Sequence, residues 1–113
     1  DALFVPPLGE SRVPFFYIRD GRYEMVRQYL DEHFSHQFVF LSQDEVLRSG
    51  LLGPGIPYAE VPHRLGDIVG IAIGDAYFAR AEELLKRQPM LGRHGGLTSQ
   101  EMLVPLLSVR LDA

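Results

Sequence analysis

One stretch of the sequence gathers the side chains that can do chemistry. Residues 92–102 read Gly-Arg-His-Gly-Gly-Leu-Thr-Ser-Gln-Glu-Met. Gly95 and Gly96 follow His94 directly, so its ring has little steric cover and its backbone is free to take unusual angles. A bared imidazole can approach a cofactor closely, yet a lone histidine beside two glycines is more often a loop residue than a ligand. One histidine does not hold zinc, which takes about three or four protein ligands. The other histidines complete no set: His33 and His36 straddle a predicted helix end three residues apart, a weak metal spacing, and His63 stands alone. Thr98 and Glu101 have the spacing of a capping box, which makes Thr98 and Ser99 helix-cap residues rather than nucleophiles. Arg12 is a candidate to meet a substrate phosphate, weighed against a surface or interdomain ion pair. Arg64 and Asp67 flank Leu65-Gly66, placed to bond each other across a turn.

Elements must position these residues. Pro6-Pro7, Gly9 and polar Glu10-Ser11-Arg12 predict an opening loop over 1–13, after a short apolar stretch at 3–5. Pro14 then begins Phe15-Phe16-Tyr17-Ile18, an aromatic and β-branched run suited to a buried strand. Over 22–34 the period changes: Tyr23, Val26, Leu30 and Phe34 recur at three and four residues, with Met25 and Tyr29 alongside. That is one face of an amphipathic helix. Residues 37–41 are a second apolar run, and strand, helix, strand with short links implies a crossover between parallel neighbours. Ser42 and Glu45 start a short capped helix that Gly50 ends. Residues 53–63, rich in proline and glycine, read as a surface loop.

Ile and Val mark 65–73 as the next strand. Gly74-Asp75 turns it into a hairpin with 76–79, unless a longer helix runs on from Ala76. Residues 80–87 are helix formers stopped by Pro89, with Glu82-Glu83 and Lys86-Arg87 forming a solvated face. The capped turn at 98–101 leads into a last apolar strand over 102–109. The expected fold is α+β: a small mixed sheet with a βαβ start and a hairpin, two to four short helices and a C-terminal strand.

Composition sets the outer bounds. A chain of 113 residues fits a single domain. Its 46% hydrophobic and 23% charged residues are near the soluble average and argue against disorder. Fifteen acids against 11 Lys plus Arg give a charge of -4; without a dense basic face a nucleic-acid duplex is not the expected partner. No cysteine is present, which excludes disulfides, thiolate zinc sites and thiol nucleophiles. No apolar run approaches the ~20 residues of a membrane span. A chain opening at Asp1 reads as a piece of a longer polypeptide.

His94-Gly95-Gly96-Leu97-Thr98, with Glu101-Met102 and Pro105, resembles the C-terminal motif of the type I phosphodiesterase and nucleotide pyrophosphatase branch of the alkaline phosphatase superfamily. Gly9 with Arg12, and the Arg64-Leu65-Gly66-Asp67 step, add to the likeness. The resemblance implies that His94 is the last ligand of a two-metal, usually zinc, centre. It implies phosphoester chemistry through a covalent phosphoenzyme, with the Thr or Ser nucleophile and the other ligands earlier in the parent chain. No Asp-His-Gly step is present, so no catalytic residue is expected here, only His94 as metal ligand and Arg12 as substrate contact. On this reading 12–88 is an α+β appendage that shapes the site, and 89–113 carries the ligand loop and the last core strand. The N-terminal remainder of the parent and a phosphoester are then the partners, the isolated chain is inactive, and zinc is poorly retained. An unpaired last strand also offers an edge for a homo-oligomer. A non-enzymatic α+β interaction module and a mutase of the same superfamily are the competing readings.

Overall fold

Apolar runs and turns settle into four strands and five helices among the described residues, which in this computed structural model are 1–86, 88 and 90–112. In chain order they are β1 (Leu8–Glu10), β2 (Val13–Phe16), α1 (Tyr23–Phe34), β3 (Phe38–Ser42), α2 (Gln43–Ser49), α3 (Val61–Leu65), β4 (Ile68–Ala72), α4 (Ala81–Lys86) and α5 (Ser99–Met102). The strands form one sheet in the order β1-β2-β4-β3, and every neighbouring pair is antiparallel. The fold is α+β.

The sheet corrects one expectation in an instructive way. β2 and β3 both run antiparallel to β4 and are therefore parallel to each other, as the strand-helix-strand pattern implies. They are not neighbours, because β4 lies between them. Ile-Val-Gly-Ile-Ala is apolar at every position and buried at all but one, the pattern of a strand covered on both faces. Placing it centrally gives it two hydrogen-bonded neighbours and two packed faces.

Side-chain alternation divides the core between those faces. Phe16, Phe38, Phe40, Ile68 and Ala72 point to the side that α1 covers with Val26 and Leu30. Val13, Phe15, Leu41, Val69 and Ile71 point to the other, where Val46 of α2 and Leu65 of α3 pack. In α1 the periodic residues Val26 and Leu30 are buried, while Met25 and Tyr29 are about half exposed. α2 is a capped helix as expected: Ser42 Oγ accepts from the Glu45 N–H, and the Glu45 carboxylate accepts from the Ser42 N–H at 2.7 Å. That bond holds the Glu45 carboxyl below its ordinary pKa. Ser42→Ala should cost about 1 kcal/mol in urea unfolding, with an unchanged m-value.

Several boundaries differ from expectation, each for a local reason. The opening loop holds β1, which forms a hairpin with β2 around Ser11-Arg12, and Leu3 bridges Ile18. Part of the loop over 53–63 gives way to α3, with a proline in its first turn where the missing N–H is not needed. Gly66 follows it at φ 69, and a Cβ there would sit 2.7 Å from the Phe16 carbonyl, so only glycine fits. Residues 76–79 form neither hairpin nor helix. They fold back instead, the Phe78 N–H bonding the Ser11 carbonyl at 2.7 Å while its ring packs edge-on against Phe16. Helix α4 lies within the expected 80–87; Arg87 and its expected stop, Pro89, fall outside the described residues.

No strand forms over 102–109. Residues 103–112 leave the body as an exposed irregular tail, with Leu106, Leu107, Val109 and Leu111 each at least 79% exposed. The Cα radius of gyration, 17.1 Å, exceeds the ~13 Å of a compact chain this long. A strand needs a neighbouring strand, and this segment has none on its own sheet. No helix among the described residues is long and apolar enough to cross a membrane.

Candidate metal-ligand loop

The loop carrying His94 is held from both sides. On its far side α5 is only four residues long, with Thr98 at its N-cap and Glu101 folding back. The Glu101 carboxylate accepts from the Gly96 N–H at 3.1 Å, from the Thr98 N–H at 3.3 Å and from the Thr98 hydroxyl at 2.8 Å. It also takes the fork of Arg12, Nε at 2.9 Å and Nη2 at 2.8 Å. Arg12 Nη1 donates in turn to the carbonyls of Gly74 at 2.7 Å and Ala76 at 2.5 Å. Arg12 is only 5% exposed. Its pairing raises the guanidinium above its ordinary pKa and pulls the Glu101 carboxyl down to about 2, the Arg12 bond being the largest cause and the Thr98 hydroxyl the next. Both groups are charged throughout the physiological range.

On the near side, Arg93 lies 3.7 Å above the centroid of the Tyr77 ring and donates to the Ser11 hydroxyl at 3.3 Å. A cation over an aromatic face is attracted by the ring quadrupole. Between these tethers stand only His94 and Gly95. His94 is exposed. Gly95 has φ 91, and a Cβ on it would meet Glu10 Cγ at 2.9 Å; a Cβ on Gly96 would collide with the Glu101 carboxylate. The two glycines thus do more than bare the histidine: they let the loop lie against β1 and the Glu101 carboxylate.

The loop runs between two open hollows. One, of about 540 Å³, is polar and includes Asp75, Tyr77, Arg93 and Gln100 in its walls. The other, of about 420 Å³, is apolar, with Phe15, Leu51, Leu52, Ile71 and Leu97 in its lining.

Of the remaining candidates, Arg12 reaches the loop through Glu101, while Arg64, Asp67, His33 and His36 make their contacts elsewhere. Arg12, the expected phosphate contact, has its guanidinium taken up by Glu101 and two carbonyls, in a largely buried internal pair rather than the surface or interdomain pair weighed against phosphate binding. Arg64 and Asp67 do not bond each other: Arg64 lies 3.6 Å from Glu60, while Asp67 accepts from the Ile18 N–H at 2.6 Å. His33 and His36 are both exposed at the end of α1, and the His33 ring leans on Tyr29 with centroids 4.4 Å apart. Among the described residues no group of three or more His, Asp and Glu is placed to hold a metal ion. Sequence reasoning took Glu101 as a helix cap and as part of the resembling motif, without a partner for its carboxylate, and gave Arg93 no role. Glu101's principal partner lies 89 residues away, a pairing that no local spacing marks.

No protein-family model, curated protein or solved structure matches the chain.

Proposed function

We propose that the chain is the C-terminal part of a metal-dependent phosphoester hydrolase of the phosphodiesterase and nucleotide pyrophosphatase type, to which it contributes His94 as one metal ligand. The observation that carries this reading is where His94 stands. His94 is exposed on a two-residue span whose backbone is tethered on both sides, between Arg93 of the polar hollow and Gly95 of the apolar one, so an ion can reach its ring from solvent. The residues present fit one ligand position and not a whole zinc shell. The other ligands and a Thr or Ser nucleophile are then expected on the same polypeptide outside residues 1–113. Bound zinc would supply electrostatic stabilisation of the phosphoryl oxygens. This chain's own part is to offer one imidazole nitrogen and to wall the approach: the sheet and α2 border the apolar hollow and limit which phosphoester enters. Arg12 and Glu101 are not reacting groups on this reading.

The test is metal content together with turnover. In the longer polypeptide, His94→Ala should remove one of two bound zinc ions and lower hydrolysis of a nitrophenyl phosphodiester by about 100-fold or more, since loss even of a ligand's outer hydrogen-bonding partner costs about 10–100-fold. The 113-residue chain alone should bind zinc weakly and turn nothing over. Full zinc content and activity in the variant would refute the reading.

The exposed tail favours a second reading, a non-enzymatic interaction module. An apolar segment of this length, exposed on a soluble chain, marks a contact surface, and an unpaired strand sequence can join the sheet edge of a second copy. On this reading His94→Ala changes nothing, while the chain self-associates through residues 103–111.

A further inference from the structure

We infer that the Ser11-Arg12 turn is a positioning element for His94. This rests on the reading of His94 as a metal ligand and adds what holds it in place. Both tethers of the loop end on this one turn. Arg93, immediately before His94, reaches the Ser11 hydroxyl; Gly96 and Thr98, just after it, are bonded by Glu101, which the Arg12 fork grips. The turn joins β1 to β2, and β2 pairs with the central strand β4, so the loop is referenced to the sheet rather than to the exposed tail beside it.

The choice of residues suits that task. A ligand must be held within about 0.5 Å of its productive place by groups that are themselves fixed. Arg12 is fixed at both ends of its guanidinium, by two carbonyls on one side and a carboxylate on the other, and little of it is exposed. Lysine would keep the charge but cannot make parallel bonds to both carboxylate oxygens while holding two carbonyls. Neither Arg12 nor Glu101 touches His94, so their effect is exerted through the backbone at Gly96 and Thr98.

Two measurements test this. In the 113-residue chain, Arg12→Lys and Glu101→Gln should speed amide hydrogen exchange at Gly96 and Thr98 by on the order of 10-fold or more, while amides of β4 stay protected. In the longer polypeptide the same variants should weaken zinc binding by about 10–100-fold with all ligands intact, and kcat should fall more than KM rises. Where an Arg12 variant fails to fold, Arg93→Met and Thr98→Ala decide, since each cuts a tether without opening the core. Unchanged exchange overturns the inference. So does faster exchange with unaltered zinc affinity, because the tethers would then be merely structural. Zinc binding indifferent to His94→Ala sinks the ligand reading itself, and is told apart because the exchange response to Arg12→Lys remains.

Discussion

Phe16→Ala should destabilise the fold by about 3–5 kcal/mol, a large share of the roughly 5–15 kcal/mol that holds a domain together. Phe16 is only 2% exposed. It stands on β2 against the central strand, and its ring meets Phe78 at 5.5 Å and Phe40 at 6.2 Å in edge-on geometry. Truncation opens a cavity that these neighbours do not fill, because Phe38 and Phe40 are stacked on each other and tied to β3. It also removes one of the three rings, with Phe34 and Phe38, against which Phe78 packs edge-on as 76–79 fold back over the β1–β2 turn. Urea unfolding gives the value directly; a loss under about 1 kcal/mol would mean that Phe16 is not a centre of the core.

Glu101→Gln should be the most damaging single change near the candidate site. It removes one carboxylate charge and leaves the Arg12 guanidinium buried without its counter-ion, a far worse state than either the intact pair or none. The pH dependence identifies the cause. The Glu101 carboxyl is lowered from 4.5 to about 2 in the fold, so the folded state binds its proton less readily than the unfolded chain. Its stabilisation is fully present above the unfolded pKa and is lost as pH falls through about 2. The gap in melting temperature between the wild type and Glu101→Gln should therefore be constant from neutral pH down to about 5, narrow below that and close near 2. A gap independent of pH over that range would show that packing, not the charge pair, is what the substitution removes.

Local rules made much of the body legible. The three-and-four spacing of Tyr23, Val26, Leu30 and Phe34 gave α1, and Ser42 with Glu45 and Gly50 gave α2 almost to the residue. The aromatic and β-branched runs became β2, β3 and β4. What escaped were the long-range choices. Nothing local says that Ile68–Ala72 inserts between two earlier strands, since that depends on which strand gains most from being covered on both faces. Residues 76–79 looked able to form regular structure because their propensities are good, but burying Phe78 against Phe16 overrides them. Residues 102–109 read as a strand and have no neighbour to make them one. At the candidate site His94 and its glycines stood out by composition. The Arg12–Glu101 clasp did not, since either residue alone looks like an ordinary surface charge.

The order in which the chain is made bears on how it folds. The strand that completes the sheet is the last of the four to be synthesised, and the two that flank it wait unpaired on their inner edges until residue 72 has emerged. Early pairing is limited to the small β1–β2 hairpin, and closure of the sheet must bring together segments far apart along the sequence, a topology that slows the search for the native arrangement. A nascent chain halted before Ile68 therefore presents two apolar strand edges and both halves of an unassembled core, and is the form of this protein most in need of a chaperone's shelter.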